Sequence, residues 1–420
     1  MKTVQRSNIL FLVCLLIFVD AIGIGLVLPI MPKLFYSNQG LARLMPSGAI
    51  NFFYGLTMAA FPLAAMIGKP ILGDLSDKFG RKKMMLWGIV GLALGYFICI
   101  IAIVCGSICL FLMARILSGF SSGTYSICYA AVMDLSKNES EKMNGLKYLT
   151  LIHVAGFMLG PALSFFVSDT MNALWVLIIP FLIAGVISLV NFILMVFMYP
   201  EGEKKLDQTK KSLWLTMSAL VFVFRQNFGT FLYAYVLFNL GLQVYIQAQA
   251  VYLMKMYCYT ASQIGLFYIV MGIAATIGMF VLHPKIRKFF DAALQVKVGM
   301  LLMSCLLLLH MFLTVGLHIP LREHIICTWM LSILVYMANP FVTLNMTRMF
   351  SDLVSKEIQG KLMGALGQIE SLTTVIGSLL MAIFLYWGND FGTGFSGIIL
   401  LISFFMMCFV LRQEVSKNKR

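Results

Sequence analysis

Twelve apolar runs, each near the length of a membrane-crossing helix, follow one another along the 420-residue chain, and they constrain its fold more than any other feature. A bilayer core about 30 Å thick takes roughly 20 apolar residues as a helix. The runs fall near 8–34, 48–72, 84–105, 108–133, 146–168, 173–199, 226–254, 262–283, 292–316, 323–349, 361–387 and 392–412. Hydrophobic residues make up 60% of the sequence and charged residues 11%, whereas a soluble domain carries about a quarter charged. Lipid is therefore the solvent of most of the chain. The expected fold class is an all-α integral membrane protein with twelve transmembrane helices. The longest polar connection separates a six-helix half at 1–199 from a second at 226–420, with 200–225 as a linker. The first thirty residues have the look of a signal peptide, but Asp20 interrupts them and no small-residue cleavage site follows, so they count as the first span.

The formal charge of +14 does not mark a nucleic-acid binder, because the basic residues are spread over short loops instead of one patch. They fit membrane topology better. With the N-terminus in the cytoplasm, inward segments receive Lys2, Arg6, Lys78 to Lys83, Lys137, Lys142, Lys147, Lys204, Lys205, Lys285, Arg287, Lys356 and the last residues from Arg412. Outward loops hold little beyond Arg43, Lys255 and Arg322. Both termini are thus expected in the cytoplasm, and the partners are the bilayer and a small solute. The nine cysteines sit singly, without a Cys-x-x-Cys, and read as small buried hydrophobes; neither a metal site nor a cofactor is expected.

One stretch concentrates charge and glycine: Gly73-Asp-Leu-Ser-Asp77-Lys-Phe-Gly80-Arg81-Lys82-Lys83. The two glycines permit a tight turn, Asp77 brings a fixed negative charge, and the basic residues mark a membrane edge. Lys69 reads as a snorkelling anchor at the cytoplasmic edge of the second span. The spacing Gly-x-Leu-Ser-Asp-x-x-Gly-Arg-Lys resembles the loop between the second and third helices of major facilitator superfamily transporters. That resemblance implies two six-helix halves about a pseudo-twofold, a substrate held between them, and a monomer. It further implies that Asp77 meets the N-terminus of the eleventh helix in one conformation. Arg81 would then reach an acidic residue at the inner end of the fourth helix, where Asp134 sits. Together Gly73, Asp77, Gly80, Arg81 and Asp134 would gate the conformational change. The corresponding stretch of the second half, His283-Pro-Lys-Ile-Arg-Lys288, keeps the basic charge but loses the glycine and aspartate.

Asp20 is the most informative single residue. It lies about 18 Å along its helix from the cytoplasmic start, just outward of the midplane. A carboxylate there costs roughly 2.5–3.5 kcal/mol unless it is protonated, paired or in water. It is either half of a structural pair or a proton-binding group. The run Asp20-Ala-Ile-Gly-Ile-Gly-Leu-Val-Leu-Pro29-Ile-Met-Pro32 resembles the first helix of bacterial tetracycline/proton and related drug/proton antiporters. Arg115, in Arg115-Ile-Leu-Ser-Gly119-Phe-Ser-Ser-Gly123, comes out at a depth compatible with pairing to Asp20 and otherwise snorkels outward. Its pattern resembles the superfamily's fourth-helix motif, which implies a part in proton coupling. Gly156-Phe-Met-Leu-Gly160-Pro161 joins a small-residue face to a proline bend and is similar to that family's antiporter motif. Ser164 and Phe165 stand where the family carries two glycines, a departure that keeps uptake open as a rival to export. His153, one turn earlier, is either a hydrogen-bonded packing residue or a cavity-facing group.

In the second half, Asn239, Gln243 and Gln247 recur every four residues as one polar stripe. It reads as substrate or water contact or as interhelical hydrogen bonding. Glu370 falls about 14 Å into the eleventh span and reads as a further proton site or a site for a cationic substrate. The region Gln359-Gly360-Lys-Leu-Met-Gly364 with Ser371, Leu372 and Gly377 also resembles tetracycline-type antiporters. The expected activity is proton-coupled secondary transport of a drug, metabolite or siderophore by alternating access, as efflux by antiport. The alternatives are proton-coupled uptake of an amino acid, nucleoside or siderophore, and a membrane sensor on a transporter scaffold. No metallopeptidase, serine-hydrolase or phosphate-loop motif is present, so the chain does not read as an enzyme or as directly ATP-driven.

Overall fold

The computed structural model describes residues 2–37, 40–42, 45–136, 138–165, 173–199, 228–316, 320–354, 359–388 and 391–417, and every statement below concerns these. The 200–225 linker, Lys137 and Lys356 lie outside them. Helices make up nearly all of the described chain, and it contains no strand. In lipid a spanning segment must satisfy its own backbone hydrogen bonds, which a helix does internally. They are α1 (Lys2–Tyr36), α2 (Ser47–Phe79), α3 (Arg81–Cys105), α4 (Ile108–Ser121), α5 (Thr124–Leu135), α6 (Glu139–Phe165) and α7 (Ala173–Met198). The series continues with α8 (Gly229–Tyr257), α9 (Ala261–Ile277), α10 (His283–Ile286), α11 (Ala292–Met311), α12 (Leu321–Asp352), α13 (Gln359–Trp387) and α14 (Phe391–Lys417).

Eleven stretches among the described residues are long and apolar enough to cross a membrane. Two of them join shorter helices: Ile108–Asp134 takes in α4 and α5, and Ala261–Ile286 takes in α9, the π-helical turn Gly278–Leu282 and α10. The remaining expected span is α6, whose apolar portion is the shorter Leu151–Pro161 because its first half is polar. Large apolar side chains such as Trp87, Met113, Phe197 and Phe405 stand exposed, the pattern of surfaces solvated by lipid tails. Cys105, Cys109, Cys258 and Cys305 are exposed as well, so the reading of every cysteine as buried does not hold.

The chain divides into two compact units, Met1–Met217 with Thr260–Leu266, and Ser218–Tyr259 with Phe267–Arg420. Within the first, α1 packs on α6 and α7, α3 on α4 and α7, and α2 on α4. Within the second, α8 packs on α13 and α14, α11 on α12 and α14, and the π turn Gly278–Leu282 on α12. Counted as spans, the pairings 1·5, 1·6, 3·4, 3·6 and 2·4 recur as 7·11, 7·12, 9·10, 9·12 and 8·10. The repeat that is faint in the sequence is thus explicit in the packing. A core of Leu12, Leu16, Met85, Ile89, Ile127 and Met195 fills one end of the first unit. In the second, Phe350 stacks on Phe231 and Tyr235, with ring centroids 4.2 and 5.3 Å apart.

The stretch expected to be a loop is mostly helix. α2 continues to Phe79 and α3 begins at Arg81, so Gly73 is a helical residue and makes no turn. Water solvates the charges at the helix end, so nothing forces the chain to unwind there. The turn is Gly80 alone, at φ +97° and ψ 145°, a region L-residues enter at a cost of about 1–3 kcal/mol. Gly80→Ala therefore lowers stability by about that amount. Thermal unfolding of the purified protein checks it, and an unchanged midpoint would remove the claim that this junction needs glycine.

Candidate functional site

At the Gly80 junction, Arg81 is held from two sides. Its guanidinium meets Asp77 at 2.7 Å and Asp134, at the end of α5, at 3.2 Å. It also donates to Ser76 Oγ at 2.7 Å, and that hydroxyl donates to the Gly73 carbonyl. Lys82 Nζ donates to the Val196 carbonyl at 3.0 Å, tying the same corner to α7. The expected Arg81–Asp134 contact is present, with Asp77 as a second partner on Arg81. Both carboxylates are largely exposed, so each pair contributes only a fraction of a kcal/mol on its own, in the range of about 0–1 kcal/mol. Such weak pairs can form and break during a conformational cycle. The segment leading into α13 includes 355–358, which lie outside the described residues.

Deeper in the first unit, Asp20 is 4% exposed and its Oδ1 has no hydrogen-bond partner. Arg115 is also 4% exposed, so it does not snorkel to the surface. It lies over the Phe61 ring of α2, with the guanidinium carbon 4.6 Å from the centroid, a cation–π contact. No ion pair joins Asp20 to Arg115 among the described residues. Depth along a helix does not determine which face a side chain occupies. What links them is Tyr96 of α3, within electrostatic range of both, with a buried hydroxyl that has no partner. That hydroxyl sits against Gly23, where a β-carbon would come within 1.5 Å of it. Glycine one turn from Asp20 is what lets a phenol approach the carboxylate's helix.

The other motif glycines bring backbones together. A β-carbon at Gly119 would lie 2.3 Å from the Phe61 carbonyl oxygen, and one at Gly123 would lie 2.4 Å from the Gly68 carbonyl carbon. The Arg115-x-x-x-Gly-x-x-x-Gly face is therefore the α2 contact surface. Gly156 and Gly160 do the same between α6 and α1, and Pro161 packs beside Gly25.

Lys69 packs against a neighbouring helix of the first unit. It stands about 15 Å from the Phe79 end of α2, and its ammonium lies 5.8 Å from the centroid of the Tyr125 ring. Its charge acts on both Asp20 and His153. The Tyr125 ring packs edge-on to the His153 imidazole at 5.2 Å, and its hydroxyl meets that of Tyr129 at 2.9 Å. His153 thus belongs to an aromatic cluster with a cation nearby. Lysine in a hydropathy count only shortens a run; its helical face is what decides its role.

In the second unit the polar stripe is partly enclosed. Asn239 and Gln247 are buried, Gln243 is half-buried, and the Asn239 amide donates to the Tyr235 carbonyl of its own helix at 2.9 Å. Gln247 Oε1 has no partner. Glu370 is exposed; its carbonyl accepts from Thr373 and Thr374, and its charge reaches Tyr235. Sequence reasoning missed a buried network further along α8. Tyr245 donates to Ser332 at 2.8 Å, while Thr328 Oγ1 meets Tyr257 at 2.6 Å and His310 at 2.9 Å. Its members come from three helices with no shared local pattern, so nothing in the sequence announced it.

A sequence model of the Major Facilitator Superfamily matches residues 13–343. A class H tetracycline resistance protein of Pasteurella multocida is 24% identical over 385 residues, 90% of this chain and 88% of that protein. The quinolone resistance protein NorA of Staphylococcus aureus is 22% identical over 364 residues, covering 87% of this chain and 85% of its own length. Among solved structures, a D-xylose–proton symporter matches the fold with a TM-score of 0.76 at 15% identity, over 97% of each chain. This chain is a multi-pass membrane transporter, not an enzyme, and it belongs to the Major Facilitator Superfamily.

Proposed function

We propose that the protein exports a small organic molecule in exchange for protons, by alternating access between an N-terminal half at 1–199 and a C-terminal half at 226–420, joined by the 200–225 linker. The observation that carries this reading is Asp20, a carboxylate buried in a spanning helix with an unpartnered oxygen. Such a group is stable when it holds a proton and is driven to change state when it loses one. Arg115 acts on it through Tyr96, and Glu370 is a further carboxylate available to protons. Arg81 with Asp77 and Asp134 forms a latch around the Gly80 turn that releases as the halves rock. Asn239, Gln243, Gln247 and His153 contribute polar groups to the substrate path. The direction rests on the relatives, whose names attach them to tetracycline and quinolone resistance. The protein works as a monomer in the inner membrane with both termini in the cytoplasm.

Uptake with protons is the second reading, and one observation favours it. Lys69, whose charge reaches Asp20, lets a protonated carboxyl and an anionic solute occupy the first unit together, which suits co-transport. Inside-out vesicles with an acidic lumen and a pH-sensitive dye separate the two. Export predicts that added substrate discharges the proton gradient in wild type. Discharge that occurs only in right-side-out vesicles, with solute entering from the outer side, would replace export by uptake.

A further inference from the structure

Lys69 carries three N–H donors on an ammonium that makes no ion pair and no hydrogen bond among the described residues. A cation left this way in a spanning helix is costly, and its usual remedy is to reach the membrane edge. Leu63 and Ile67 form the exposed apolar stripe of α2, and Lys69 lies about 200° around the helix from Ile67. It therefore points away from that stripe and toward α5, where Ser126 Oγ fixes its backbone by donating to the Lys69 carbonyl at 2.8 Å. Gly123 allows this approach, since a β-carbon there would come within 2.7 Å of the Lys69 nitrogen.

Lys69 remains half-buried, with its ammonium packed against the Tyr125 ring. Around it stand Tyr125, Tyr129 and His153, three flat side chains on two adjoining helices. The nearby anion is Asp20, whose charge is lost when it holds a proton. A fixed cation beside an aromatic wall matches one kind of guest: an organic anion whose carboxylate or enolate is attached to an aromatic ring.

We propose that Lys69, with the wall of Tyr125, Tyr129 and His153, binds the anionic group of an aromatic substrate within the first unit. The proposal deepens the transport reading by naming its substrate class and rests on that reading only in supposing that a small organic molecule is carried.

Equilibrium binding to the purified full chain tests it, with benzoate, salicylate and naphthoate as probes, each beside its primary amide, and naphthylmethylammonium as the cationic counterpart. Intrinsic fluorescence or the thermal unfolding midpoint reports occupancy. Wild type is expected to hold a carboxylate about tenfold to a hundredfold more tightly than its amide. Lys69→Gln removes that gap and leaves amide binding as it was, while Lys69→Arg keeps the preference for the anion and shows that the site survives substitution. The proposal is overturned if no probe pair shows carboxylate preference in wild type, if the ammonium binds as well as the carboxylate, or if the gap persists in Lys69→Gln. Binding needs no proton gradient. Carboxylate preference without any proton-linked movement would overturn the transport reading alone, and proton-linked movement confined to cations would overturn this proposal alone.

Discussion

Asp20→Asn is expected to abolish proton-coupled movement of substrate while leaving the protein folded. The substitution keeps the size of the side chain and removes only the ability to carry a proton and a charge. At a buried position the charged carboxylate differs from a neutral group by about 3 kcal/mol, which corresponds to a bias of roughly a hundredfold between states. That bias is what a proton gradient works on. The surroundings favour such a role, since Oδ1 has no partner, Tyr96 reaches in against Gly23, and Lys69 is within electrostatic range. Substrate-dependent dissipation of a pH gradient in reconstituted vesicles gives the readout, and counterflow of labelled substrate, which needs no net proton movement, gives the control. Asp20→Asn should lose the first by at least roughly a hundredfold and retain the second. Undiminished gradient dissipation would move the proton site elsewhere, with Glu370 the next carboxylate to test.

Much of this arrangement was legible in the sequence, and the exceptions share a cause. Asp20, Gly25, Gly156 and Gly160 stood out because a carboxylate or a patterned glycine inside an apolar run has few physical explanations. The Arg81–Asp134 contact was legible from the resemblance of the Gly73–Lys83 stretch to a known motif. Hydropathy counts fix where a run ends but not which way a side chain faces. Depth alone therefore left Arg115 open to pairing with Asp20 or to snorkelling outward, and it does neither. The charged stretch after Gly73 was read as a loop because charge ended the apolar run, whereas helix α2 simply continues beyond it. The His310–Thr328–Tyr257 contacts belong to three helices distant in sequence, so only packing could reveal them.

Gly160→Val is expected to cost the first unit at least about 3 kcal/mol, at or beyond the upper end of overpacking effects in well-packed interiors. A β-carbon at Gly160 would come within 2.5 Å of both the Ile22 carbonyl oxygen and the Leu26 amide nitrogen, and within 2.8 Å of the Gly25 carbonyl carbon. These are backbone atoms of α1 and cannot rotate away as a flexible side chain would. Gly156 meets the same helix at Phe18 and Ala21, so α6 has no room to tilt about the neighbouring contact. The two helices must separate, and Asp20 lies within the Gly156 contact, between Phe18 and Ala21. Gly364→Ala in α13 is the matched control: nothing lies within 4 Å of its β-carbon position, and the change there is worth up to about 1 kcal/mol in favour of the helix. Thermal unfolding of the purified variants decides between them, with Gly160→Val falling by several degrees or failing to accumulate and Gly364→Ala holding its midpoint or rising. Should Gly160→Val unfold alongside Gly364→Ala, α1 and α6 do not meet at this crossing, and the position argued for Asp20 falls with it.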